Sequence, residues 1–299
     1  MTQPLRVQIV EVSPRDGLQA EERTLSTDTK LELIDRLADA GHTTIEATSF
    51  VSPTAVPQLA DADDLLRRLR RRPGVRYPVL VPNERGLERA VAAGATDIAV
   101  FVSASESYSL KNLRRPRDET IATALAVTRG AKARGLRVRA YLSMVITDPD
   151  DGPTDPVAVA AIGQRFVMAG ADELSLGDTI GAGTAESVRA LLAAQRAAGI
   201  PVERIAVHFH DSRGQGLANT LTAIQAGVRV VDASVGGIGG SPFAKHATGN
   251  LATEDLVWTL DGMGIATGLD VQQLLVITKW LGTELGHELP ARGARALVE

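Results

Sequence analysis

The sequence predicts a (β/α)8 TIM barrel with one further helix at its C-terminal end. Three observations lead there. Short Val- and Ile-rich runs alternate with longer Ala/Leu/Arg-rich stretches of helical period, the pattern of parallel βαβ units. The helical stretches repeatedly stop at glycine, the residue that most readily takes the positive φ of a helix C-terminus. The strand-like runs number eight, which is the closure number of this barrel.

In order, the runs are Val7–Val12, Thr44–Phe50, Tyr77–Val81, Asp97–Ser103, Arg137–Val145, Glu173–Leu176, Arg204–His210 and Val230–Val235. Between them lie helical stretches such as Lys30–Ala40, Glu84–Ala93, Glu119–Arg134, Val157–Ala169 and Ser187–Ala198. The stops are Gly41, Gly94, Gly135, Gly170, Gly199 and Gly227. An open doubly wound sheet is the competing architecture, but no G-x-G-x-x-G follows the first run. Val271–Leu285 supplies the extra helix. No low-complexity linker divides the chain, and barrels of about 250 residues form one domain. Residues 1–299 are therefore expected to be a single catalytic domain.

Composition narrows the function classes. With 44% hydrophobic residues and a mean hydropathy near zero, the chain lies far from the disordered regime. A net charge of −4 argues against nucleic acid as a main partner, because phosphate binding needs a basic face. The absence of cysteine excludes disulfides, iron–sulfur clusters and thiol nucleophiles, so any metal must be held by nitrogen and oxygen. No apolar run approaches the roughly 20 residues of a membrane span. The opening MTQPLRVQIVEV carries no signal-peptide pattern, and a cytoplasmic location is expected. The basic run Arg67–Arg72 falls at the end of a helix, where cations complement the dipole, and reads as a solvated face.

Catalytic groups of a barrel lie at the C-terminal ends of its strands. Those ends carry Ser13-Pro14-Arg15-Asp16-Gly17, then Glu46 and Thr48, then Gly177-Asp178-Thr179, and His208-Phe209-His210-Asp211. Residues two apart in a strand share a face. His208 and His210 thus point into the barrel with Phe209 outward, either as a metal-gripping pair or as hydrogen-bonded core histidines. Asp16 is an anionic ligand or a turn residue before Gly17, with Arg15 beside it pointing elsewhere. Glu46 and Asp178 are buried acids, partners of metal ligands or helix caps. The stretch Gly236–Asn250 holds five glycines, the composition of a functional loop.

At these residues the sequence resembles the 3-hydroxy-3-methylglutaryl-CoA lyases, a branch of the DRE-TIM metallolyases. The matching stretches are Val10–Gln19 (VEVSPRDGLQ), Ile45–Gln58 (IEATSFVSPTAVPQ), Pro78–Asn83 (PVLVPN), Leu174–Thr184 (LSLGDTIGAGT), Ala206–Thr220 (AVHFHDSRGQGLANT) and Gly239–Leu256 (GGSPFAKHATGNLATEDL). They recur in family order over nearly the whole chain.

The resemblance implies cleavage of 3-hydroxy-3-methylglutaryl-CoA to acetyl-CoA and acetoacetate, with a divalent cation, Mg²⁺ or Mn²⁺, or Zn²⁺, held by Asp16, His208, His210 and Asn250. It implies catalytic roles for Arg15, Asp16, Glu46, Asp178, His208 and Ser241, and Glu254 in the surrounding polar shell. Substrate contacts fall to Arg15, Gln19, Thr179 and Gly240. It also implies an acyl-CoA partner and a homodimer.

One residue departs from the family. The loop normally reads GGCP, with the thiol as proton donor to the enolate; this chain has Gly239-Gly240-Ser241-Pro242. A hydroxyl is a far weaker acid than a thiol of reference pKa about 8.5. Slower turnover, another acid such as His246, or a different 3-hydroxy-3-substituted acyl-CoA each accommodates the change. Condensing enzymes of the same superfamily share the metal motif but not SFVSP, GDTIG or GNLATEDL. A scaffold protein on a decayed barrel draws support only from Ser241.

Overall fold

The computed structural model describes residues 5–240 and 249–296. Eight parallel strands, β1 (Gln8–Glu11), β2 (Thr48–Ser49), β3 (Val79–Leu80), β4 (Asp97–Ser103), β5 (Arg137–Ser143), β6 (Glu173–Asp178), β7 (Ile205–Phe209) and β8 (Val230–Ala233), hydrogen-bond in the spatial order β1-β8-β7-β6-β5-β4-β3-β2. The sheet closes where Glu11 bridges Ile45: the Glu11 amide donates to the Thr44 carbonyl at 3.1 Å and the Glu46 amide to the Glu11 carbonyl at 2.8 Å. The predicted barrel is the observed one.

The helices are α1 (Thr27–Asp39), α2 (Ala62–Arg68), α3 (Glu84–Ala92), α4 (Glu106–Leu113), α5 (Arg117–Ala133), α6 (Pro156–Met168), α7 (Ala185–Ala197), α8 (Gly216–Gln225), α9 (Thr253–Gly262), α10 (Val271–Leu285) and α11 (Arg292–Ala296). Local chemistry starts several of them. The side chains of Ser26, Asn83, Ser105, Asp155, Thr184 and Asp270 accept amides of the first turns of α1, α3, α4, α6, α7 and α10. All six glycine stops have positive φ. The extra helix α10 packs against α1 and α9. Among the described residues no helix is long and apolar enough to cross a membrane.

Strands 2 and 3 are shorter than the runs Thr44–Phe50 and Tyr77–Val81. Pro78 has no N–H to give, so it accepts from the Ala47 amide at 2.9 Å without completing a ladder. The flanking Thr44–Arg76 bridge keeps the chains paired. The helical stretches named from the sequence do not include α4 or α9, and only the stop at Gly227 marks α8; α8 opens on glycine and α9 has no side-chain cap, so packing does more than local signal to place these two.

The basic run is a solvated face with partners. Arg68 pairs with Asp28 and Asp64, and Arg72 with Asp35 and Asp39. Aspartates of α1 thus neutralise two of its cations.

Packing divides by strand face. Outward side chains such as Val100, Val138, Leu174, Leu176, Val207 and Phe209 join the buried faces of the helices in a hydrophobic layer. Inside, a small apolar cluster of Leu80, Ala99 and Tyr141 sits beside charged groups, including Arg139, Asp232 and Glu46, all nearly inaccessible. A barrel interior this polar must satisfy its charges internally.

Candidate metal and acyl-CoA site

Arg15 and Asp16 ride on a tight turn, Ser13–Gly17, directly after β1. One carbonyl, that of Val12, accepts the amides of Arg15, Asp16 and Gly17 at 3.2, 2.8 and 3.2 Å. Glu11 pins both sides of this turn. Its Oε1 accepts the amides of Ser13 (3.0 Å) and Val235 (2.9 Å), and its Oε2 accepts the Thr253 hydroxyl at 2.7 Å.

His208 and His210 lie at the end of β7 with ring centroids 5.3 Å apart, and Phe209 is buried in the outer layer, as strand alternation requires. Asp16, His208 and His210 each offer a ligand atom, all within 4.8 Å of one another. Asp16 Oδ2 and His208 Nε2 are 3.8 Å apart. An ion about 2.0–2.2 Å from each ligand spans donor pairs up to about 4.4 Å apart. The set therefore fits a divalent ion by spacing and by donor chemistry.

Asn250 completes the cluster from the far side of the glycine-rich stretch. Its segment enters beside β7 and β8, with the Leu251 amide on the Phe209 carbonyl (3.2 Å) and the Ser234 amide on the Leu251 carbonyl (3.0 Å). Asn250 Nδ2 donates to Asp16 Oδ2 at 2.8 Å and to the Ile238 carbonyl at 3.1 Å. Two acceptors define that atom as the nitrogen and leave Oδ1 as an acceptor. Gly239 makes room for it: at φ +114° its absent Cβ would stand 2.4 Å from Asn250 Nδ2.

The expectation that Arg15 points away from Asp16 is wrong. Arg15 Nη1 donates to Asp16 Oδ1 at 2.5 Å, while Nε and Nη2 meet Glu46 Oε2 at 2.8 and 2.7 Å. Barrel closure puts β1 beside β2, so Glu46 draws the guanidinium inward and across Asp16. Burial opposes ionising Asp16, but Arg15 and the two imidazoles outweigh it and hold the carboxyl well below its usual range. Burial pushes Glu46 up, against the opposing pull of Arg15. Glu46 Oε1 is buried with no hydrogen-bond partner among the described residues, so an acceptor is left for a ligand or solvent donor.

Residues 6–280 match the HMGL-like family model. The chain belongs to the HMGL-like family. It is 46% identical to the mitochondrial hydroxymethylglutaryl-CoA lyase of Bos taurus, over 99% of this chain and 90% of that one. The structure of hydroxymethylglutaryl-CoA lyase from Pseudomonas aeruginosa superposes with a TM-score of 0.94 at 42% identity, covering 99% of both chains. An HMG-CoA lyase from Acinetobacter baumannii, solved in complex with coenzyme A and 3-methylmalate, gives 0.93 at 34% identity, covering 98% of this chain and 95% of that one. This HMGL-like chain is an enzyme of a family that uses a divalent metal.

Asp178 spends its carboxylate on the amides of Ala182 (3.1 Å) and Gly183 (2.8 Å), organising the loop after β6. Burial raises its pKa, against those two bonds. Thr179 Oγ1 accepts the Met144 amide at 3.0 Å. Glu254 accepts the Gly236 amide through both oxygens and the Thr278 hydroxyl at 2.5 Å, fixing the turn from which the glycine-rich stretch departs. Gln19 is half-buried after the Arg15–Asp16 turn, and Gly240 stands at the edge of the glycine-rich stretch. Ser241 and His246 lie outside the described residues.

Sequence reasoning missed Arg139, Tyr141, Ser175 and Asp232. Asp232 Oδ2 faces His208 Nδ1 at 3.2 Å and accepts the Ser175 hydroxyl at 3.0 Å. With Nδ1 facing that carboxylate, Nε2 is the ring nitrogen turned toward Asp16. The signal was available. Arg137, Arg139, Tyr141 and Ser143 alternate with apolar residues along β5, and Asp232 interrupts an apolar β8.

Proposed function

We propose that this chain is a divalent-metal-dependent lyase that cleaves 3-hydroxy-3-methylglutaryl-CoA to acetyl-CoA and acetoacetate. The observation that carries the reading is the convergence of Asp16, His208 and His210 within 4.8 Å beside a buried Arg15, in a chain aligned end to end with lyases of that name. Asp16, His208, His210 and Asn250 would hold Mg²⁺ or Mn²⁺. When bound, the ion acidifies the substrate's tertiary hydroxyl and polarises its oxygens.

The residues of the chain supply the rest. The hydroxyl proton leaves to a base, with Asp16 and His208 nearest the metal position. The carbon–carbon bond breaks as that oxygen becomes the ketone of acetoacetate, and the bonding pair passes to the thioester enolate. Arg15, held charged by Glu46 and Asp16, places fixed positive charge where the enolate develops. Glu46 lends its unpartnered oxygen to substrate or solvent. A proton delivered to the enolate carbon yields acetyl-CoA; Ser241, His246 or water serves as the acid.

The catalytic unit is taken as residues 1–299, dimeric as the resemblance implies, with Gln19, Thr179 and Gly240 toward the acyl-CoA. A second reading rests on Ser241: a substrate with a different 3-substituent. Chelator-treated protein tests both. Acetyl-CoA release from the 3-methyl ester is expected only after Mg²⁺ or Mn²⁺ is returned. Release that survives chelation overturns the proposal, and turnover of another 3-hydroxy ester alone selects the second reading.

A further inference from the structure

The site's polar contacts form a closed ring. From Asp16 it passes to Arg15 (2.5 Å), to Glu46 (2.8 Å), to the Tyr141 hydroxyl (3.1 Å), to Arg139 Nη1 (3.2 Å). From Arg139 Nη2 it continues to Asp232 Oδ1 (2.5 Å), to His208 Nδ1 (3.2 Å), and from His208 Nε2 back to Asp16 at 3.8 Å. The one gap too long for a hydrogen bond is the position the metal would take.

We propose that Arg139 is a positioning residue that couples the metal-binding half of this ring to the half that aims Arg15. The inference rests on the metal reading of Asp16, His208 and His210. Arg139 directs its hydrogen bonds to Asp232 and Tyr141. It is the branch point: Nη2 fixes Asp232 and through it the His208 ring, while Nη1 fixes the Tyr141 hydroxyl. Arginine only donates and ionised carboxylate only accepts, so the Tyr141 proton must point at Glu46. That bond and the Arg15 fork share Glu46 Oε2. Nε forms an ion pair with Glu173 Oε1 at 2.8 Å, anchoring the guanidinium toward the start of β6. The Arg15 and Arg139 guanidiniums also lie 5.3 and 5.0 Å from the Tyr141 ring centroid. A planar fork reaches two hydrogen-bond acceptors in different directions and keeps its third nitrogen paired with Glu173. A lysine keeps the charge, but its donors share one nitrogen that cannot reach both acceptors.

The test titrates Mn²⁺ into wild type, Arg139→Lys, Asp232→Asn, the double variant and Tyr141→Phe, alongside kcat. Loss of a residue orienting a metal-ligating His typically weakens affinity about 10–100-fold. Asp232→Asn is expected in that range and Arg139→Lys near its lower end. The double variant should be no weaker than Asp232→Asn alone, because the effect of Arg139 on the metal runs through Asp232. Tyr141→Phe, cutting only the other half, should lower kcat and leave Mn²⁺ affinity within about twofold. Multiplicative losses in the double variant, or an Arg139→Lys protein that loses thermal stability but no Mn²⁺ affinity, overturn the proposal. Should Arg139→Lys fail to fold, the contrast between Asp232→Asn and Tyr141→Phe decides alone: equal effects on Mn²⁺ affinity refute it. His208→Ala checks the underlying reading. If it binds Mn²⁺ like wild type, the metal assignment itself fails, and the coupling with it.

Discussion

Replacing Arg15 by glutamine separates catalysis, stability and metal binding, because the proposed mechanism gives this side chain the enolate's charge and the structure pairs it with Glu46 and with the carboxylate proposed to bind metal. Arg15 is 6% exposed and bridges Asp16 and Glu46 at 2.5–2.8 Å. Removing a charge-stabilising donor of this kind costs about 10²–10³ in kcat, or about 2.7–4 kcal/mol. The variant also strands Glu46. Breaking a buried ion pair by deleting one partner costs about 3–5 kcal/mol while the other stays charged. Burial already pushes the Glu46 carboxyl up, so in the variant it escapes part of that penalty by taking a proton. A raised native pKa means the native state binds more protons than the unfolded chain, and stability then falls as pH rises. The stability deficit should be small near the unfolded glutamate pKa, grow above it, and vanish from the pH profile in Arg15→Gln/Glu46→Gln, which stays inactive. Mn²⁺ affinity should not weaken, since Arg15 Nη1 competes for the carboxylate that would bind the metal. Denaturation against pH, with acetyl-CoA release and Mn²⁺ titration, measures all three. A kcat within about threefold of wild type, against the loss expected above, or a deficit independent of pH, refutes the reasoning.

Gly239→Ala should weaken metal affinity about 10–100-fold with little loss of fold, since its Cβ would drive Asn250 off Asp16; unchanged Mn²⁺ binding would contradict the geometry. Burial lowers the pKa of His42 to about 4. The unfolded chain therefore takes up a proton near pH 6.5 that the native state refuses, and about 3 kcal/mol of stability present above that pH is lost as pH falls to 4. His42→Gln should flatten that window in acid denaturation, and a profile parallel to wild type would contradict it. Ser241→Cys should raise turnover of the 3-methyl ester and confer sensitivity to thiol alkylation, because a thiol donates a proton near neutral pH far more readily than a hydroxyl. A Cys variant no faster than the parent would refute this, and unchanged activity in Ser241→Ala would move the acid to His246 or water.

What the sequence by itself determined was local or periodic. Strand-helix alternation and the glycine stops required only short-range stereochemistry, and they predicted the barrel. Strand alternation placed His208 and His210 on one face, because a period of two is a property of the strand alone. Asp16 stood out at the end of the first strand, but Asn250 joined it only through the family resemblance, since 234 residues separate them and no pattern joins them. The tertiary structure decided the rest. Only when Glu11 pairs with Ile45 does Glu46 come beside Arg15, turning a side chain expected to point away into the clamp on Asp16. Only when β5, β7 and β8 curve around a common interior can Arg139 reach Asp232, 93 positions on, and fix the His208 ring. Hydrogen-bond partners inside a closed barrel are chosen by strand order and register, which act between segments far apart in sequence, and a linear reading records neither.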